Sequence, residues 1–378
     1  MSSSFPSASA QAILKRYSVH PTAGFLPARP PLRRLPGAFR AWEALARDLS
    51  ARLQAGCLRP AVEALPILDP TPLHKLPALE RAMLLLSLFA HGYLRSPEGP
   101  PLHTLPEALA RPWLAVATRL GRPPVLAHAS LVLQNWRLLD PAGPRHAHNL
   151  APLQMFLGGQ DEAWFYTLTV EIEARGAAAL LPAARLRLAL DAGDSKGAFQ
   201  ALTQLSVALR PLALSLQRMR ERCEPEGFYH RIRPFLASLE AVHYQGVTPP
   251  VRSYPGGSAA QSSLLQSMDA ILDVPHAEAA AGAYLLAMRQ HMPPGHRAFI
   301  HWLETAPRAR DWAQGRLAEA RQACLEPLLA FRQAHLQIAT QYITGPARAA
   351  GEGQTGTGGT AFIPFLKTVR NDTGKDLR

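Results

Sequence analysis

Proline placement constrains this chain more than any other feature. Its 378 residues include 35 prolines, most of them lying between periodic segments, as in Pro30-Pro31, Pro70 to Pro77, Pro97 to Pro106 and Pro123-Pro124. Proline lacks a backbone donor and restricts the residue before it, so helices stop at such joints. Between the joints, Ala and Leu dominate, Val and Ile are sparse, and apolar residues recur at steps of three and four with little strict alternation. The pattern predicts an all-α chain. Helices are expected over 38–53, 78–94, 126–136, 163–175, 184–192, 197–222 with a kink at Pro211, 228–244, 315–344 with a kink at Pro327, and 363–369. The N-terminal third carries short helices dense in proline, and from about Leu126 the helices lengthen.

Composition narrows the function classes. Hydrophobic residues at 47% and charged residues at 18% describe a globular chain. Cys57, Cys223 and Cys324 cannot all pair, and no two are close in sequence. That argues against a disulfide framework or a zinc finger and favours a reducing cytoplasm. No apolar run reaches the roughly 18 residues a membrane span needs; the stretch Ala82 to Leu94 is interrupted by Ser87, His91 and Gly92. The net charge of +12 comes from scattered, mostly Arg residues. Without a basic stripe or a recognition motif it reads as a basic surface, with no nucleic-acid partner. The first 42 residues lack Asp and Glu and so imitate a transit peptide, but Pro6, Pro21, Pro27, Pro30, Pro31 and Pro36 break the helix such a peptide requires.

The clearest periodic signal runs through Leu317, Ala320, Cys324, Leu328, Phe331, His335, Ile338 and Tyr342, one face of a single helix. His335 lies well inside that apolar stripe. An unsatisfied imidazole there would cost on the order of 1–3 kcal/mol, so it must be hydrogen-bonded or bound to something. Spacing alone leaves both readings open. With no second histidine or carboxylate beside it, the residue makes a poor zinc site but suits the axial position of a haem, whose porphyrin supplies the in-plane nitrogens.

The run Arg332-Gln333-Ala334-His335-Leu336-Gln337-Ile338-Ala339-Thr340 resembles the proximal-histidine helix of the indoleamine 2,3-dioxygenase family. Three more segments agree in order. They are Phe228-Tyr229-His230-Arg231-Ile232-Arg233-Pro234-Phe235-Leu236, Gly256-Gly257-Ser258-Ala259-Ala260-Gln261-Ser262-Ser263, and Gly356-Thr357-Gly358-Gly359-Thr360 with Phe365-Leu366-Lys367-Thr368-Val369-Arg370. Weaker similarity reaches back through Asn135-Trp136 to Gly24-Phe25-Leu26-Pro27, so nearly the whole chain is covered.

The resemblance implies an all-α fold in which a small N-terminal helical domain, 1–120, caps a large helical domain, 121–378, that holds haem b. It implies cleavage of the indole C2–C3 bond of L-tryptophan with O2 to give N-formylkynurenine, and an electron donor that keeps the iron ferrous. Carried over by position, His335 is the proximal iron ligand, and Arg332 with Asp269 forms a supporting pair behind it. Without the resemblance, that pair reads as a helix-packing salt bridge. Arg233 matches the arginine that holds the substrate carboxylate through two parallel hydrogen bonds, although by itself it reads as solvent-facing. Phe228 and Tyr229 match aromatic positions of an apolar slot for a flat indole, a role compatible with core packing. Gly256-Gly257 would let backbone approach the substrate or haem edge closely, and Thr357 belongs to a lid where it would meet the substrate ammonium. As isolated strings, both glycine runs could be linkers.

Thr167, Phe165, His128 and Leu131 match the distal wall less closely. Ala163 replaces a common aromatic, with Trp164 and Phe165 available to compensate, and His128 stands where Tyr is frequent. His128 either accepts from the indole N–H or packs away from the haem. These departures leave two alternatives to tryptophan cleavage: a related haem enzyme oxidising a substituted tryptophan or other indole in secondary metabolism, or a haem or gas sensor without turnover.

Overall fold

Long helices form where apolar residues face neighbours on several sides. The computed structural model describes residues 7–276, 278–312, 314–351, 357 and 362–377. Leu76–Leu94 is buried along almost its whole length, which explains why it reads as apolar all round rather than as a stripe. Its Phe89 lies in one hydrophobic cluster with Trp42, Trp113, Phe156 and Tyr244. A second cluster gathers Leu14 and Phe25 from the N-terminus, Val170 and Leu186, Leu264, Phe299 and Cys324.

The segments expected over 163–175 and 184–192 are one helix, Gln160–Asp191, with Pro182 inside it. Interior proline costs about 3 kcal/mol or more through a lost hydrogen bond and a clash. Burial of Leu180, Ala183, Ala184 and Leu186 on either side holds the helix together across that break. The kink expected at Pro211 is present: Ser195–Leu209 ends and Pro211–Gln217 begins with proline in its first turn. Asp194 caps the former through a 2.9 Å hydrogen bond from the Gly197 N–H. The 315–344 segment is the helix Arg316–Ala339, which runs through Pro327 into a π-helical turn, Thr340–Thr344.

Two helical expectations fail. The 126–136 segment contains only a π-helical turn, Ala129–Leu133. The 228–244 segment is a π-helical turn, Phe228–Ile232, a 3-10 turn, Arg233–Leu236, and then a strand, Leu239–Tyr244. Pro234 withdraws a donor in mid-segment, and Leu239, Val242 and Tyr244 are the buried positions of the strand. That strand pairs antiparallel with Val251–Tyr254 and parallel with Thr104–Leu105 in a small sheet, and Arg137–Leu138 pairs with Leu150–Ala151 in a second, within a mostly helical fold. Among the described residues, no helix is long and apolar enough to cross a membrane.

Candidate functional site

The helix Gln160–Asp191 presents Phe165, Leu168, Thr169, Ile172 and Glu173 along one stripe, and the helix Arg316–Ala339 with its π-helical extension presents Phe331, His335, Ile338, Ala339 and Tyr342. These two stripes face a cavity of about 260 Å³. Phe228, Arg233 and Leu236 close it from the double turn, His128, Leu131 and Val132 from the short turn, and Gly257 to Ala260 with Ser262 from the glycine-rich loop. Thr357, Phe362, Phe365 and Leu366 complete the wall from the C-terminal side.

His335 has no hydrogen-bond partner among the described residues; Phe331 lies beside it, ring centroids 6.4 Å apart. Burial, reinforced by the neighbouring Arg332 cation, pushes its pKa down to about 4. The imidazole is therefore neutral near pH 7 and keeps a lone pair for a metal. Among the described residues there is no group of three or more His, Cys, Asp or Glu able to hold a bare ion. A lone neutral imidazole on a largely apolar wall fits haem, which needs only one protein ligand.

Behind His335, Arg332 pairs with Asp269 in a charge-assisted contact, both side chains nearly out of solvent. His276 lies 3.4 Å from the other carboxylate oxygen, and Arg332 also donates to the Val369 carbonyl at 3.3 Å. Burial pushes the Asp269 carboxyl up, but Arg332 and His276 together outweigh it and hold the pKa below the ordinary value. Arg332, Asp269 and His335 share a smaller adjoining cavity of about 50 Å³. The pair ties the His335 helix to Ser263–Leu272 and to the C-terminal helix Phe362–Gly374.

Arg233 stacks its guanidinium over the Tyr229 ring, 5.1 Å from the centroid. Tyr229 is buried beneath it and is not among the described residues that line the cavity. Phe228 does reach the wall, edge-on to Phe165 at 5.0 Å and to Tyr342 at 6.0 Å. The glycine-rich loop docks on this turn: the Gly257 N–H donates to the Leu236 carbonyl at 3.0 Å and the Gly256 N–H to Thr357 at 3.2 Å. A Cβ on Gly256 would run into the backbone of Leu236, Ala237 and Thr357, which explains the glycine there. The Thr357 hydroxyl donates to the Gly257 carbonyl at 2.6 Å. The remaining lid positions, Gly356, Gly358, Gly359 and Thr360, lie outside the described residues.

Thr167 is buried with its hydroxyl on the Ala163 carbonyl, 2.8 Å away, and is not on the cavity wall. Thr169, two residues on, lines the wall instead. Of the two residues expected to compensate for Ala163, Phe165 lines the cavity, whereas Trp164 turns its indole N–H to the Arg218 carbonyl at 2.8 Å. His128 lines the cavity with Nε2 held 2.9 Å from Glu173 Oε1, which also accepts from Ser262 Oγ at 2.8 Å. Sequence reasoning misses Glu173 and Ser262. The spacing Phe165, Thr169, Glu173 is one helical face, and that periodicity is the signal that could have found Glu173.

Fold and cavity define a helical protein with a largely apolar cavity between two long helices. Sequence comparison narrows the class. The family model for indoleamine 2,3-dioxygenase matches residues 13–376. An indoleamine 2,3-dioxygenase of Saccharomyces cerevisiae is 34% identical, covering 96% of this chain and 93% of its own length. Indoleamine 2,3-dioxygenase 1 of Rattus norvegicus is 33% identical over 98% of this chain and 97% of its own. A 6-hydroxytryptophan 2,3-dioxygenase of Fusarium equiseti is 28% identical over 97% and 98% respectively. The chain belongs to the indoleamine 2,3-dioxygenase family, and is thus an oxidoreductase of the dioxygenase type.

Proposed function

We propose that this protein is a haem-dependent dioxygenase that opens the indole ring of L-tryptophan, or of a ring-substituted tryptophan, across C2–C3 to give N-formylkynurenine or its correspondingly substituted form. The observation that carries the reading is His335, a neutral imidazole on the cavity wall with no hydrogen-bond partner among the described residues. Bound through it, haem b would supply the iron at which dioxygen is activated. The chain's own residues then hold and orient. Arg332 and Asp269 fix the turn of helix that carries His335. Arg233, preoriented by its stack on Tyr229, takes the substrate carboxylate, and Thr357 beside Gly257 meets the ammonium with its oxygen lone pairs. Phe165, Phe228 and Leu131 flank the flat ring and exclude water. No general acid or base is required of the protein, in keeping with a wall that is mostly apolar.

Residues 1–120 as a cap over 121–378, a cytoplasmic location and an electron donor that keeps the iron ferrous belong to the same reading. The substituted-indole version draws support from the Fusarium equiseti relative, whose name specifies 6-hydroxytryptophan. The test is anaerobic reduction of the haem-loaded protein, followed by dioxygen and L-tryptophan. Appearance of N-formylkynurenine absorbance, with a mass gain of two oxygen atoms, is the expected outcome. A haem spectrum without any turnover of an indole amino acid would reduce the protein to a haem or gas sensor.

A further inference from the structure

Glu173 is the one carboxylate among the described residues of the cavity wall. It is almost fully buried, at 3% exposure. Its Oε1 accepts from His128 Nε2 at 2.9 Å and from Ser262 Oγ at 2.8 Å. Its Oε2 has no hydrogen-bond partner among the described residues. A buried carboxylate oxygen left without a donor is costly, and the cost is relieved when a donor arrives. His128 is itself fixed from the other side, its backbone N–H donating to Gln261 at 3.0 Å, so the acceptor is held in place rather than free to swing into solvent.

We infer that Glu173 Oε2 is a specificity-determining acceptor for a hydrogen-bond donor on the ring of the indole substrate, either the N1–H or a ring hydroxyl. The inference rests on the functional reading above and deepens it. Arg233 stands on the double turn, with Gly257 and Thr357 docked against that turn, so the amino-acid end of the substrate has its own cation and its own carbonyls. A carboxylate in the wall repels the substrate carboxylate and therefore selects the orientation in which the ring, not that carboxylate, comes to Glu173. An acceptor without a partner also discriminates: ligands lacking the donor leave it unpaired, and ligands carrying one pair it.

Glu173→Gln is the informative change, because Gln has the same size and its carbonyl can still accept from His128 and Ser262 while its NH2 replaces the free acceptor with a donor. The haem-loaded wild type and variant are titrated calorimetrically with L-tryptophan, 1-methyl-L-tryptophan, 5- and 6-hydroxy-L-tryptophan and indole-3-propionate. A preference of about tenfold or more is expected in the wild type, the size of one hydrogen bond to a charged group. It falls on L-tryptophan over the 1-methyl compound if the donor is N1–H, or on a hydroxytryptophan over L-tryptophan if it is a ring hydroxyl. In Glu173→Gln with an unchanged Soret spectrum, that ratio falls toward one. Equal ratios in the two proteins would overturn the inference. So would a loss that appears with L-tryptophan but not with indole-3-propionate, which would mean that Glu173 meets the ammonium. The wild-type titrations need no variant, and a wild type without any preference among these ligands refutes the inference even if the variant fails to fold. A wild type that binds no indole amino acid at all would defeat the functional reading, and this inference with it.

Discussion

The two long helices that face each other across the cavity are built on opposite principles. The His335 wall is held by charge: Arg332, Asp269 and His276 tie down the turn of helix that carries a neutral imidazole, and the imidazole itself makes no hydrogen bond among the described residues. The facing wall, from Phe165 to Glu173, is apolar apart from Thr169 and ends in a polar corner whose carboxylate is tied to His128 and Ser262. One wall places its hydrogen bonds outside the cavity and leaves a ligand group free inside. The other brings a partly satisfied acid to the cavity. In the proposed enzyme the first wall fixes the cofactor and the second reads the substrate, and the two can be broken separately.

The largest effect is expected behind His335. Arg332→Leu removes one partner of a buried ion pair and should cost about 3–5 kcal/mol of stability, measured by denaturant unfolding. The pH dependence has a definite sign. Because the folded-state pKa of Asp269 lies below its unfolded value, its stabilisation is present above the unfolded carboxylate range and is lost as pH falls through the folded pKa. Asp269→Asn should therefore be less stable than wild type at neutral pH, with the gap closing in acid. A gap that stays constant down to about pH 2, well under the usual carboxylate range, would place the pair's contribution elsewhere.

Next comes the carboxylate-binding end. Arg233→Ala should weaken L-tryptophan by about 2–5 kcal/mol, read as a raised KM, with haem content unchanged. If instead L-tryptophan and indole without its side chain are affected equally, Arg233 is not holding the carboxylate. The smallest effect separates two neighbouring threonines on the facing helix. Thr167→Ala, away from the cavity, should leave KM and kcat within about twofold of wild type, because its hydroxyl is bonded back to its own helix. Thr169→Val, on the wall, should change KM by more than Thr167→Ala does. The reverse order would mean that the helix sits one register turned from the structure.

The same contrast explains what can be read from residue order. His335 is legible because its neighbours Phe331, Ile338 and Tyr342 repeat at helical spacing, and a histidine in such a stripe stands out. The Arg332 and Asp269 pair comes from matched motifs, since 63 residues separate the two and no local pattern joins them. On the facing helix the sequence points to Thr167, but two residues turn an α-helix by about 200°, so Thr167 faces away while Thr169 and Glu173 line the wall. Pro182 misleads in the other direction, because tertiary burial carries one helix across a residue that usually ends two. The chain after Arg233 reads as helix despite Pro234; the strand Leu239–Tyr244 gains its stability from pairing with Val251–Tyr254, a partner that periodicity within a single segment does not reveal.

The most direct measurement is haem titration of the wild type and His335→Ala, followed by absorbance spectra of the ferrous proteins. With His335 as the iron ligand, the wild type takes up one haem per chain and shows a spectrum typical of a single-histidine ligand. The variant then holds haem weakly and substoichiometrically, and recovers the wild-type spectrum when imidazole is added. Stoichiometric haem with an unchanged ferrous Soret band in His335→Ala would contradict that role, and would make His335 an ordinary buried histidine of the core.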